Sequence, residues 1–326
     1  MLQRTLFLIV VLTCCRDLHA QSVNLSQKVV APPDNIITAD WLKSRPHNSK
    51  VMAIVPADFS SPPRLLLTDS VYLNEYCQHG SPSWSRDGSV IVLEVAKDLP
   101  FREKMQTANV VIVRPDGSHA KDLGRGVVPD VSPDGDQIAY MKMDAPPRTV
   151  QLMTTEGQDR RPLPHEAHTQ GCQWSPDGKS IVALGEFGSL RRYDIGNQAS
   201  SMLVPEGRFG HLWEFAWTPD GTKLVFLQNR SVPTVVGEFD LTLSIVDLST
   251  SPHRTIDFPE TYLSEPFMTV PPDGKRIVYA QDGVLMEVEI SKPNSTPRPV
   301  KGQYTDFSYG NAAYSHDGKW LAVAIN

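Results

Sequence analysis

Between Gln170 and Gly185 the chain reads QGCQWSPDGKSIVALG. Cys172 and Trp174 alternate with the polar Gln173, which is the period of a strand with one buried face. The run Ile181-Val182-Ala183-Leu184 is apolar at every position and reads as a short buried strand. Between them, Pro176 presets φ for the first central position of a type I turn, Asp177 tolerates the second, and Gly178 takes the left-handed conformation that follows. The segment is therefore predicted to be a strand, a tight turn and a second strand.

The same pattern begins at Ser83 (SWSRDGSVIVLEV), Pro129 (PDVSPDGDQIAYMK), Phe215 (FAWTPDGTKLVFLQ), Met268 (MTVPPDGKRIVYAQ) and Ala312 (AAYSHDGKWLAVAI). The turn aspartates are Asp87, Asp134, Asp177, Asp220, Asp273 and Asp317, separated by 47, 43, 43, 53 and 44 residues. A period in the forties with several short strands per repeat is the mark of a β-propeller, and a β-sandwich would not keep this spacing. A second hairpin follows in each interval, starting at Val110, Val150, Ser189, Thr242 and Val284. A sixth copy of the second hairpin, KVMAIVPADFSSPPRLL from Lys50, precedes the first Asp-Gly turn, and a first-type hairpin comes last, at 311–325. The fold predicted is all-β: a six-bladed β-propeller of four-stranded antiparallel blades. The N- and C-terminal segments share one blade, which removes the exposed sheet edges of an open array.

Six blades use residues 50–326, and 21–49 form an N-terminal extension in which 36–45 is expected to lie on the ring as a short helix or a strand. Residues 1–20 have the order of a secretory signal peptide: Arg4, an apolar run from Leu6 to Thr13, and Ala20 before Gln21. That run is too short for a stable membrane anchor, and no other stretch reads as transmembrane. Lipid attachment at Cys14 or Cys15 is disfavoured, because neither has a small residue before it. An exported protein, periplasmic or at the cell surface, is expected. Without Arg4, Arg16 and Asp17 the net charge moves from −6 to −7, and no basic run offers a nucleic acid a footprint. The exported chain keeps Cys77 and Cys172; export permits a disulfide, but the reading is two separate thiols. Sequons occur at Asn24, Asn229 and Asn294.

WSPDG at 174–178 and WTPDG at 217–221, with VSPDG at 131–135 close to them, resemble the repeat of TolB-like six-bladed β-propellers. WSRDG at 84–88, VPPDG at 270–274 and YSHDG at 314–318 depart from it. The resemblance runs from about residue 50 to the last hairpin and implies the fold. It does not imply an activity, because such propellers serve as periplasmic scaffolds, as regulatory domains beside hydrolases and as a few lyases. TolB itself carries an α/β domain before its propeller, and only 21–49 precede the ring here, so a role in the Tol system is not carried over. There is no G-x-S-x-G nucleophile elbow.

The turn aspartates are read as architecture, bonding to nearby backbone N–H groups. Trp84, Trp174 and Trp217 occupy one repeat position and are read as packing between blades. Binding residues are expected on the opposite face, whose loops vary in length: Tyr76, His79, Arg102, His165, His168, Arg208, His211, Trp213, Tyr262, Tyr304, Phe307 and Tyr309. Aromatic and arginine side chains are the usual anchors of interfaces. The reading is a monomeric scaffold that binds an envelope or extracellular protein or a glycan, without a cofactor and without catalysis of its own. The alternative is a metal-dependent polysaccharide lyase or hydrolase at the channel mouth. In that case His165 and His168 of PHEAH, with His211 from the next loop, would hold a divalent ion, as histidines do in related lyases.

Overall fold

The computed structural model describes residues 28–46, 49–143, 148–163, 169–185, 188–207, 212–229, 241–263 and 267–326, without the side chains of 101, 102, 213, 260 and 262. The chain forms six four-stranded antiparallel sheets arranged as a ring. Blade 1 consists of Gln78–Trp84, Ile91–Ala96, Asn109–Val113 and Lys121–Arg125. Blade 2 has Val127–Val131, Gln137–Lys142, Thr149–Thr154 and Arg161–Pro162, and blade 3 has Thr169–Trp174, Ser180–Gly185, Leu190–Asp194 and Ser200–Val204. Blade 4 has Leu212–Trp217, Lys223–Asn229, Leu241–Asp247 and Arg254–Leu263, and blade 5 has Met268–Thr269, Arg276–Gln281, Val284–Glu289 and Arg298–Pro299. Blade 6 joins Tyr309–Tyr314 and Trp320–Ile325 to Val51–Pro56 and Arg64–Leu65. Its register runs from Val51 opposite Ile325 to Pro56 opposite Trp320, so the two ends of the chain close the ring as the repeat pattern predicts.

The buried side chains fall into six clusters, one at each interface between blades. This explains why the second strands are continuously apolar. Ile181 and Ala183 pack toward blade 2, while Val182 and Leu184 pack toward blade 4, so both faces of the strand lose contact with water. Trp84 packs with Met52, Ile54, Ala322 and Ala324 of blade 6, and Trp174 with Ala139, Met141 and Leu152 of blade 2, as the interblade reading requires.

The Asp-Gly turns form as predicted. In the blade 3 turn the Asp177 carboxylate accepts from Ser175 Oγ at 2.6 Å and from the Lys179 N–H at 3.1 Å. The same pair of bonds recurs at Asp87, Asp134, Asp220 and Asp317. Asp273 keeps only the backbone bond, because Pro271 replaces the hydroxyl residue. The prolines have a further role. A side chain at Gly178, where φ is +69°, would place its Cβ 3.6 Å from Pro133 of the preceding blade. Gly221, Gly274 and Gly318 meet Pro176, Pro219 and Pro272 in the same way.

Ahead of the ring, the extension forms a 3-10 turn at Pro33–Asn35 and helix α1 at Ala39–Lys43, and Ile36 bridges to Arg64. Thr38 caps α1 by accepting from the Trp41 N–H at 3.2 Å. Trp41 and Leu42 pack on the cluster between blades 5 and 6. Among the described residues no helix is long and apolar enough to cross a membrane. Residues 1–27, with the signal peptide, Cys14 and Cys15, lie outside the described residues. Cys77 and Cys172 are both buried, and no disulfide joins them.

Candidate functional site

The six first strands surround a central channel of about 370 Å³. Its wall follows the repeat. One ring is Ser83, Asp130, Gln173, Ala216, Thr269 and Ala313, the residues that precede the Trp84, Trp174 and Trp217 position and its equivalents. At the turn end the ring is Arg86, Pro133, Pro176, Pro219, Pro272 and His316. Toward the loop end the wall contains Ser81, Glu214, Phe267 and Asn311. Between these levels most of the first strands carry a bulge, which breaks the register and turns side chains toward the axis. At the bulge of blade 2, Val128 is held at φ +49°, a left-handed conformation that is strained for a β-branched residue.

Two carboxylates, Asp130 and Glu214, line this wall, and a third, Glu94, lies close enough for its charge to act on Glu214. Asp130 accepts from Ser83 Oγ of blade 1 and from the Trp174 N–H of blade 3, both at 2.6 Å, and thus ties three blades together. Burial pushes its carboxyl up to about 6, against the pull of those two donors. Glu94 lies on the second strand of blade 1 opposite Gly80, whose missing side chain leaves it room. It accepts from the strained Val128 N–H at 2.8 Å. Burial raises its pKa, with the Val128 N–H and the Lys104 ammonium opposing. Glu214 is raised well above the ordinary carboxylate range, first by burial and then by the charge of Glu94. Perturbed acids in a cleft are the usual mark of a functional site. Around them stand Trp84, Trp174, Trp217, Phe267 and Tyr314. The Trp84 indole N–H donates to Ala313 O of blade 6 at 3.0 Å, whereas the indole nitrogens of Trp174 and Trp217 are buried and have no partner among the described residues. The channel therefore combines aromatic faces and acids able to meet a cation.

The loop-face residues expected from the sequence divide into three groups. His79 is a core residue and not a surface ligand. It is 3% exposed, its Nδ1 accepts from the Met52 N–H at 3.0 Å, and its Nε2 faces Tyr76 O at 2.9 Å and Tyr72 O at 3.1 Å. These contacts place the proton on Nε2, and burial lowers the pKa to about 4. Tyr76 is half-buried, with the Lys97 ammonium 5.3 Å from its ring. Tyr304, Phe307 and Tyr309 form one aromatic cluster with Phe59, and Tyr309 is 2% exposed with its hydroxyl stapled to the Tyr304 backbone. That cluster packs against the N-terminal extension instead of standing open. Arg102 lies on helix α3 (Phe101–Thr107; α2 is Ser70–Asn74), Trp213 on the first strand of blade 4 and Tyr262 on its last strand, without described side chains. His165, His168, Arg208 and His211 lie outside the described residues. Among the described residues no group of three or more His, Cys, Asp or Glu side chains is placed to hold a metal ion.

Asp130, Glu94 and Glu214 were not among the residues expected from the sequence, yet each leaves a trace there. Asp130 is the one acid at a repeat position that elsewhere carries Ser, Gln, Ala or Thr. Glu94 interrupts the apolar run IVLEV, and Glu214 sits inside LWEFAW.

No protein-family model matches the sequence, and no curated protein is significantly similar to it. Solved structures are similar in fold. A structure described as a TolB from Agrobacterium tumefaciens superposes with a TM-score of 0.63 at 16% identity, covering 85% of this chain and 98% of that one. TolB from Acinetobacter baumannii gives a TM-score of 0.54 at 16% identity, covering 88% of this chain and 66% of that one. A chain of a nidogen/laminin complex gives 0.56 at 8% identity, covering 83% and 96%. With six blades, a shared closing blade and these neighbours, the chain has the fold of a TolB-like six-bladed β-propeller.

Proposed function

We propose that the protein is an exported binding scaffold, without catalysis of its own, that takes a segment of an envelope or extracellular protein, or a glycan, at the loop end of its channel. The observation that carries this reading is the channel wall itself, where Asp130 and Glu214 stand among Trp174, Trp217 and Phe267, with the charge of Glu94 acting on Glu214. Acids raised by burial regain their charge when a cation enters, and aromatic faces favour the same guest. A protein segment presenting a Lys or Arg side chain therefore fits better than a neutral glycan. One similar propeller was solved in a complex of two proteins, nidogen and laminin, which agrees with a protein partner. Export rests on the sequence of residues 1–20.

The test is a screen of peptide and glycan arrays with the purified protein, followed by affinity measurements on Glu214→Gln and Trp217→Ala. A hit bound through the channel should weaken roughly tenfold or more in each variant, since a charged hydrogen bond or a stacked aromatic contributes about 1.5 kcal/mol or more. Hits that bind both variants as well as the parent would move the site elsewhere. Elemental analysis separates the alternative. One divalent ion per chain, lost when His165, His168 and His211 are changed together, would favour the metal-dependent lyase or hydrolase.

A further inference from the structure

At the turn end of the channel two residues break the repeat. Four of the six Asp-Gly turns carry proline before the aspartate, whereas blade 1 has Arg86 there and blade 6 has His316. These two blades are neighbours across the closing seam, so the departures stand side by side. Both residues are exposed, and both line the channel beside Pro133, Pro176, Pro219 and Pro272. They do not take over the packing of proline. A side chain built at Gly178, Gly221, Gly274 or Gly318 would meet the proline of the preceding blade at 3.5 to 3.9 Å, but one at Gly88 or Gly135 would meet nothing within 4 Å. The seams on both sides of the blade 1 turn are therefore notched. Arg86 makes no hydrogen bond or ion pair among the described residues, and its charge acts on the His316 ring. None of the six turn aspartates lines the channel. The two nearest in sequence are already engaged: Asp87 accepts from Ser85 and Ser89, and Asp317 from Ser315 and Lys319.

We propose that the turn end of the channel is a second binding mouth, in which Arg86 and His316 take a carboxylate carried on an acidic protein segment. The planar Arg86 fork matches the two oxygens of one carboxylate. That negative charge favours the protonated His316 ring, which then donates as well. The proline rim supplies apolar area that a free small anion would leave wet, so an acid borne by a larger partner fits better. The mouth uses none of Glu94, Asp130 and Glu214, and it does not depend on what binds at the loop end.

The experiment probes the full chain with an array of short peptides, each bearing one glutamate or aspartate, beside counterparts that carry glutamine or asparagine instead. Acidic peptides that bind the parent, and whose amide counterparts do not, are carried into affinity measurements on Arg86→Pro and His316→Pro. These changes restore the proline of the other four turns. The N–H groups of Arg86 and His316 donate no backbone hydrogen bond among the described residues, so proline removes none. Both variants should melt at or above the parent, because proline stiffens the unfolded chain and fills the notch. Arg86→Pro should weaken peptide binding roughly tenfold or more, the loss expected when a charge-assisted bond is removed, and His316→Pro by less. The proposal is overturned if no bound peptide depends on its carboxylate, or if Arg86→Pro binds the acidic peptides as the parent does. Should Arg86→Pro not fold, Arg86→Gln makes the same comparison at an exposed side chain, and unchanged binding there refutes the mouth.

Discussion

Asp130 offers the sharpest test of the channel. Its carboxyl is raised from the ordinary 3.8 to about 6 because it is buried in the wall. An acid whose pKa is higher in the folded state binds its proton more tightly there. Its stabilisation is complete below pH 3.8 and is lost as the pH rises through about 6. The difference corresponds to about 3 kcal/mol. The turn aspartates act in the opposite sense. Asp87, Asp134, Asp177 and Asp317 are lowered, chiefly by hydrogen bonds from neighbouring hydroxyl and backbone N–H groups, so they stabilise the fold above the ordinary carboxylate range. The pH profile of the whole protein would mix both effects. Comparing the parent with Asp130→Asn separates them, because the turn groups are common to both and cancel. The substituted amide can accept from the Trp174 N–H through its oxygen and donate its N–H to Ser83 Oγ, a hydroxyl that also accepts, and any cost of the exchange does not change with pH. Urea unfolding of both proteins between pH 4 and pH 8 gives the difference in stability. The parent should lose about 2.4 kcal/mol relative to the variant across that interval, because the unfolded carboxyl is already more than half ionised at pH 4. A flat difference, or one that rises with pH, would mean that the Ser83 and Trp174 donors hold Asp130 ionised and that the burial argument is wrong.

Two further outcomes test the architecture. Gly178→Val and Gly135→Val both force a β-branched residue to positive φ, +69° and +82°, but only Gly178 has a neighbour within 4 Å, Pro133. Each should cost about 1–3 kcal/mol in strain, which lowers the melting temperature by roughly 2 °C or more per kcal/mol, and Gly178→Val should fall further; an unchanged melting temperature for Gly178→Val would refute the turn assignment. Deleting 311–326 removes Leu321, Val323 and Ile325, all fully buried, and bares the edge of Val51–Pro56. The truncated chain should show no cooperative transition near the parent's melting temperature, and one that melts as the parent does would sink the shared blade.

The turns and the strand order were legible because their causes are local. Aspartate and glycine, with a proline before them in four of the six copies, set the backbone of each turn within five residues, and repetition at this near-constant spacing leaves few arrangements other than a ring. The closing blade followed from counting hairpins. His79 was misread because its partners, Met52 and the carbonyls of Tyr72 and Tyr76, turn a polar residue on a presumed loop into a core strut. Tyr304, Phe307 and Tyr309 drew attention as aromatic loop residues, but Phe59, 245 positions from Tyr304, packs into the same cluster.

What the sequence determined alone is therefore the repeat: where each hairpin turns, how many blades form and how the ring closes. What only the tertiary structure decided is which side chains share the axis. Asp130, Glu94 and Glu214 come from three blades and are separated by many tens of residues. Their raised pKa values arise from burial, and at Glu214 also from the charge of Glu94, in surroundings that exist only when the ring is complete. The prolines illustrate the same division. Each bends its own turn for a reason visible in five residues, but its contact with the glycine of the next blade depends on two repeats lying side by side.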